Sequence, residues 1–232
     1  MLISVPGLQP WRTSWTHPKT GRDYTIKLCR SATAGDAVLD ACYDLVEQTS
    51  RRDYEASTAK WRPAEKRNEM READLRYIVV REDVEKDKYA DKDRLAAFTS
   101  LMPTHEEGHA VVYCYEIHLQ PDLQSTGMGA LLLGFQSIVA SNLGPPVSKV
   151  MLTCFVSNTH ALAFYRKQGF VTDATSPEAR TLRGGKKFVP DYMILSRGVG
   201  AKVEGPVEGA DDRKGRESSQ AAGKALNETA TG

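Results

Sequence analysis

Hydrophobic positions along this chain change their spacing several times, and each change predicts an element. Tyr24, Ile26 and Leu28 alternate with Thr25, Lys27 and Cys29, the period of a strand. From Ala34 onward, Val38, Leu39, Cys42, Leu45 and Val46 line up as one apolar stripe at helical spacing. Residues 51–76 are dense in charges of both signs around Pro63, whose ring suits a first helical turn, so a second, solvated helix is expected there. Residues 76–80 read as a strand, and 81–94 are so charged that an exposed turn is expected. Residues 94–101 and 110–119 then read as antiparallel neighbours around a hinge at His105 to His109.

The period lengthens again after that. Residues 127–140 form an apolar helix stopped by Gly144, Pro145 and Pro146. Residues 149–156 are a continuous apolar run, as in a buried central strand. Residues 158–167 read as a helix capped by Gly169, and 170–172 and 192–195 as strands that close the sheet. The order β-α-α-β-β-β-α-β-α-β-β predicts an α/β fold, a mixed sheet flanked by helices. Residues 1–21 lack periodicity and read as an N-terminal arm packed on a domain of 22–197. Residues 198–232 contain seven glycines and no aromatic residue, too little apolar surface to offset ordering entropy, so a disordered C-terminal tail is expected.

Composition narrows the function classes. Lys and Arg number 31 against 30 Asp and Glu, a net charge of +1, which excludes a generally basic nucleic-acid binder. That near-zero sum hides a basic loop carrying Arg180, Arg183, Lys186 and Lys187. No apolar run approaches the roughly 18 residues of a membrane span, and the first residues lack a charged and then apolar leader. The expectation is a soluble, monomeric protein of the cytoplasm and nucleus, with no membrane or direct nucleic-acid partner. Cys29, Cys42, Cys114 and Cys154 are widely spaced inside apolar segments, as reduced core residues are. His105 and His109 have metal-ligand spacing only on a helix, and Gly108 in a strand context argues against one, so no metal site is expected. The sequon at Asn227 reads as idle.

The chemistry concentrates where a strand, a short loop and a helix follow one another. After Tyr113 to Leu119 comes Gln124-Ser-Thr-Gly127-Met-Gly129, opening the apolar helix. A loop of small residues at a helix N-terminus gathers N–H groups and the positive helix end at one place, suited to a pyrophosphate without any basic side chain. It is neither the Gly-x-Gly-x-x-Gly of dinucleotide folds nor a P-loop. A second constellation, Asn158, Ala161, Tyr165, Lys167, Gly169 and Phe170, directly follows the buried strand.

Together these two stretches resemble the acyl-CoA signature of the GNAT acetyltransferases. The resemblance implies a mostly antiparallel mixed sheet and acetyl-CoA as co-substrate. It implies that Gln124, Ser125, Thr126, Gly127, Met128, Gly129 and Ala130 surround the pyrophosphate. It further implies that Asn158 contacts the pantetheine arm and that Tyr165 or solvent protonates the leaving thiolate.

Tyr54 and Trp61, the block Tyr113-Cys-Tyr-Glu116, Met151 to Thr153, Ser176-Pro177 and Tyr192 to Arg197 narrow the likeness to NatD-type N-alpha-acetyltransferases. Those enzymes modify the N-terminal serine of histone H4 and histone 2A, so their N-terminal peptides are the expected partners. By this resemblance Tyr54, Tyr115, Thr153, Thr175 and Tyr192 line the peptide pocket. Ile117, His118 and Leu119 present backbone groups to the thioester. Glu116, with Tyr113 and Tyr115, is the candidate for receiving the amine proton. Strand alternation, however, puts Tyr113 and Tyr115 on one face and Glu116 on the other, so Glu116 reaches the same cleft only where the strand bulges. The family's acidic wall position falls near Thr104, with Glu106 and Glu107 beside it. Two other readings remain open at this point: a GNAT enzyme acting on lysine side chains or small amines, and a non-catalytic acyl-CoA-binding module.

Overall fold

The computed structural model describes residues 11–83, 94–181 and 183–200. Eight strands form one sheet in the order β1-β2-β3-β4-β5-β6-β10-β7. These are β1 (Ser14–Thr16), β2 (Asp23–Arg30), β3 (Arg76–Glu82), β4 (Leu95–Glu106), β5 (His109–Leu119), β6 (Lys149–Phe155), β7 (Val171–Thr172) and β10 (Tyr192–Gly198). Every pairing is antiparallel except β5 with β6. The mixed, mostly antiparallel sheet expected from the sequence is therefore present.

Helices cover both faces. On one lie α4 (Met128–Leu143) and α5 (Thr159–Lys167), over Ile78, Val80, Val112, Cys114, Val150 and Leu152. On the other lie α2 (Asp36–Ala56) and α3 (Pro63–Glu69), over Tyr77, Val79, Leu95 and Phe98. A four-residue turn of helix, α1 (Ser31–Ala34), leads from β2 into α2. Consecutive residues of β3 serve opposite layers, as the two-residue period of a strand requires. The α2 stripe of Leu39, Cys42, Leu45 and Val46 is buried as its spacing predicts. Cys42, Cys114 and Cys154 are buried and Cys29 half-buried, all as free thiols.

Several expectations need correction. Residues 14–16, read as part of an arm, pair with Asp23 to Thr25 as an edge strand, too short to announce itself by periodicity. The basic loop contains a two-stranded hairpin of β8 (Arg180–Thr181) and β9 (Lys187–Phe188), equally short. The hinge between β4 and β5 is only Glu107 and Gly108, at φ of 46° and 80°, a pair of left-handed residues that matches the twist of a tight hairpin. Helix α3 was expected to be solvated throughout, yet its Lys66 is buried. Of the charged turn at 81–94, Arg81 and Glu82 belong to β3, and 84–93 lie outside the described residues, as do 1–10 of the arm and 201–232 of the tail.

One irregularity organises the rest. Ser100 pairs with Glu116 and Leu101 with Cys114, so Tyr115 is an extra residue on β5. This is a β-bulge. The freed Glu116 carbonyl accepts a hydrogen bond from Thr99 Oγ1 at 2.7 Å, and Thr99 Oγ1 in turn accepts one from Gln136 Nε2 of α4 at 2.6 Å. The ladder to β6 ends at Cys114 opposite Leu152, although β5 continues to Leu119 and β6 to Phe155. The two strands part there, leaving one backbone edge of β5 open from Tyr115 onward.

Replacing Thr99 by Val keeps the shape but strands the Glu116 carbonyl and the Gln136 amide. A loss of roughly 2–4 kcal/mol in unfolding free energy by urea titration is expected, with Thr99→Ser recovering most of it.

Candidate active site

The bulge decides which side chains share a cleft. Before it, Val112 and Cys114 face the layer of α4 and α5, which leaves Tyr113 on the side of α2 and α3. Across the bulge the alternation slips by one, so Ile117 and Leu119 take the α4 side. Tyr115, Glu116 and His118 then all meet the α2 and α3 side, by contacts with α2, α3 and Phe98. The bulge that Glu116 needed is present, and it brings Tyr113, Tyr115 and Glu116 to one wall.

Glu116 is buried, and each of its oxygens has a close partner. Lys66 of α3 meets Oε1, and His118 Nε2 lies 2.5 Å from Oε2. Burial by itself would favour the neutral acid, but Lys66 and His118 outweigh it and pull the carboxyl down to about 2. Lys66 is correspondingly raised, held charged by Glu116 and by Glu69 at 2.9 Å. His118 Nδ1 reaches Thr49 Oγ1 of α2 at 2.6 Å, and Thr49 donates to the Leu45 carbonyl at 2.7 Å. Neither Lys66 nor Thr49 carries a sequence signal, because each partner is more than 40 residues away along the chain. His118 was expected to offer only its backbone; its side chain also belongs to this network.

Aromatic residues extend the wall. The rings of Tyr113 and Tyr115 are 5.5 Å apart, and the Tyr113 hydroxyl lies 2.6 Å from Thr153 Oγ1. Tyr54 meets Trp61 at 5.4 Å and Phe155 at 4.9 Å, with Lys66 Nζ 5.2 Å from its ring. Tyr192 pairs with Phe155 at the start of β10. Thus Tyr54, Tyr113, Tyr115, Glu116, Thr153 and Tyr192 are brought together. Thr175 lies just beyond β7, where its N–H and hydroxyl both donate to Asp173.

The loop from Gln124 to Ala130 has the geometry of an anion cradle. Ser125 and Gly127 are left-handed, at φ of 58° and 94°. Thr126 Oγ1 ties the loop down by donating to the Leu123 carbonyl at 2.6 Å. Helix α4 starts without a side-chain cap or an acidic residue in its first turn, so the N–H groups of Gly129 and Ala130 have no helical partner. Gly129 has a packing reason too: a Cβ there would come within 3.0 Å of Phe164 on α5. Together with the open β5 edge, these features fit a pyrophosphate with an acyl thioester beside the strand.

Asn158 stands at the N-terminus of α5. Its Oδ1 caps α5 by accepting from the Ala161 N–H at 3.0 Å, and its Nδ2 donates to Asp53 at 3.1 Å, so both ends of the amide serve the protein. Tyr165 is buried against Phe164 and Phe170, and burial lifts its phenol well above 10. Cys114 and Cys154 are pushed up to about 11 and about 12 by burial, which suits core thiols and not nucleophiles.

The sequence model of the acetyltransferase (GNAT) family matches residues 39–170. N-alpha-acetyltransferase 40 of Saccharomyces cerevisiae is 30% identical over 188 residues, covering 67% of this chain and 62% of the relative. The chain thus spans less than two thirds of that relative's length. NAA60 of Arabidopsis thaliana is similar in fold at 13% identity in two structures. With acetyl-CoA the TM-score is 0.53, over 76% of this chain and 100% of that one. With a bisubstrate analogue it is 0.51, over 75% and 99%.

The Glu116 network predicts an acid-sensitive stability. A carboxyl lowered on folding stabilises at pH above its unfolded value and loses that contribution as pH falls through its folded one. Glu116→Gln should therefore be less stable than wild type at neutral pH. The difference should shrink as pH drops from 4.5 to about 2. Denaturant midpoints of the two proteins across that range check it, and a gap independent of pH counts against the network.

Proposed function

Because this chain belongs to the acetyltransferase (GNAT) family, we propose that it is an N-alpha-acetyltransferase, moving acetyl from acetyl-CoA to the N-terminal amine of a protein. The observation that carries this reading is the state of Glu116. A carboxylate held at about 2 between Lys66 and His118 accepts a hydrogen bond well but is a feeble proton acceptor. A lysine amine has a pKa near 10.4 and an N-terminal amine one near 7.7–8.0. Freeing them at about pH 7.4 costs about 4 kcal/mol and roughly 0.5–1 kcal/mol respectively. A site without a strong base suits the N-terminal amine, which favours this reading over a lysine side chain. A pure acyl-CoA-binding module would need neither the buried Glu116 pair nor the tyrosine wall.

Acetyl-CoA, when bound, supplies an acyl carbon already activated by its thioester. The chain does the rest. Ser125 to Ala130 hold the pyrophosphate through backbone N–H groups at the start of α4. The open edge of β5 at Ile117, His118 and Leu119 lines the acyl group. Tyr54, Tyr113, Tyr115, Thr153 and Tyr192 orient the peptide end so that its amine attacks directly, in a ternary complex. Glu116 draws the amine hydrogens toward one side, and solvent takes the proton. Tyr165 stays protonated at neutral pH; it or solvent gives the departing thiolate a proton, and the proton released by the amine to solvent makes good that loss.

The narrower substrate is the N-terminal serine of histone H4 and histone 2A. Its support is the Tyr113-Cys-Tyr-Glu116 block and the acidic neighbours of the wall: Tyr115 is raised first by burial and then by Glu106, Glu69 and Glu72, carboxylates that suit a basic peptide. This reading carries with it a monomer acting in cytoplasm and nucleus.

Turnover of a peptide beginning Ser-Gly-Arg-Gly-Lys, with first-residue variants and a form whose amine is blocked, checks the reading. Strong preference for the free serine terminus is expected, and Glu116→Gln should lower kcat at least about tenfold. Equal acetylation of the blocked peptide would overturn it.

A further inference from the structure

We propose that His118, fixed by Thr49, is a positioning residue that sets the orientation of the Glu116 carboxylate for the incoming amine. The inference rests on the N-alpha-acetyltransferase reading and goes beyond it, since it concerns a side chain that touches no substrate. A carboxylate can turn about its Cγ–Cδ bond unless both oxygens are held in defined directions. Lys66 holds one oxygen, but an ammonium is a compact charge with three rotatable donors and fixes no plane. The directional donor is His118 Nε2, 2.5 Å from Oε2.

The imidazole is itself clamped at its far end. Thr49 Oγ1 lies 2.6 Å from His118 Nδ1, and the same oxygen is tied to the Leu45 carbonyl at 2.7 Å, which fixes where it stands. One flank of the ring lies along Phe98 of β4, with centroids 5.5 Å apart at 30°. Three elements thus converge on one ring: β5 supplies it, α2 holds Nδ1 and β4 stacks on it, while α3 meets the same carboxylate through Lys66. The charged groups at this point are Glu116 and Lys66, with Glu69 beyond Lys66. Tyr54 and Tyr77, both raised and so neutral, complete the surroundings.

With Oε1 and Oε2 each engaged once, the remaining lone pairs of Glu116 point in fixed directions. An amine N–H meets them in one geometry, so the effect belongs to turnover. Acetyl-CoA meets the backbone of β5 and of the loop at 124–130, and a change in the His118 side chain leaves both backbones in place.

The test uses the full chain with His118→Leu, His118→Gln and Thr49→Val, assayed with acetyl-CoA and a peptide bearing a free N-terminal serine. His118→Leu removes the donor and should lower kcat about tenfold with the acetyl-CoA KM unchanged; His118→Gln restores a donor and should return kcat to within roughly threefold of wild type. Thr49→Val should fall between the two. Wild-type kcat in His118→Leu overturns the proposal, and so do equal losses in His118→Leu and His118→Gln, which would indicate packing alone. Nitrogen-15 and proton NMR of the His118 ring gives a readout independent of any peptide. A far-downfield Nε2 proton is expected, lost in Glu116→Gln and shifted in Thr49→Val, and its absence in wild type overturns the proposal. If the NMR signature is present while the wild-type protein leaves every free-amine peptide untouched, the N-alpha-acetyltransferase reading fails and the His118 contact stands.

Discussion

A single extra residue on one strand governs this molecule. With Tyr115 unpaired, β5 shifts its side chains by one position relative to β4, and the shift puts tyrosines and a carboxylate on one wall. The same displacement ends the parallel pairing with β6 and opens a backbone edge beside that wall. A bulge costs ladder hydrogen bonds, and here the loss is offset from the opposite layer. Thr99 receives a hydrogen bond from Gln136 of α4 and passes one to the Glu116 carbonyl. The packing of α4, whose N-terminus forms the anion cradle, is thereby linked to the backbone that positions the carboxylate.

Electrostatics follow from that geometry. Glu116 faces a layer where an unpaired charge would be expensive, and Lys66 and His118 compensate it. The compensation leaves a group that is anionic over the working pH range and a poor base. The proposed reading turns on this: an N-terminal amine is already close to neutral at physiological pH and needs little basicity from the site, whereas a lysine amine needs more.

Much of the architecture is written in local patterns. The α2 stripe, the apolar run of β6, the glycine loop before α4 and the helix α5 each lie within a few residues, and each appears where its pattern predicts. Elements of two or three residues, such as β1 and the β8 to β9 hairpin, are too short to carry a period. The wall of the cleft was legible by resemblance at Tyr54, Tyr113, Tyr115, Glu116, Thr153 and Tyr192. The bonds from the Thr175 hydroxyl to Asp173 and from the Asn158 amide to Asp53 were not legible, because the fold decides them.

By itself, then, the sequence determined the period of each major element, the small-residue loop that suits a phosphate, the near-zero net charge and the run of tyrosines around Glu116. All of these are properties of neighbours along the chain. Only the tertiary structure decided which face Glu116 takes and what holds its charge. A side chain's face depends on register with another strand, and a one-residue slip reverses it. Its charge depends on Lys66, 50 positions earlier in the chain, buried in a helix whose composition reads as solvated. Ion pairing and desolvation act through space, so they enter only once the layers have packed.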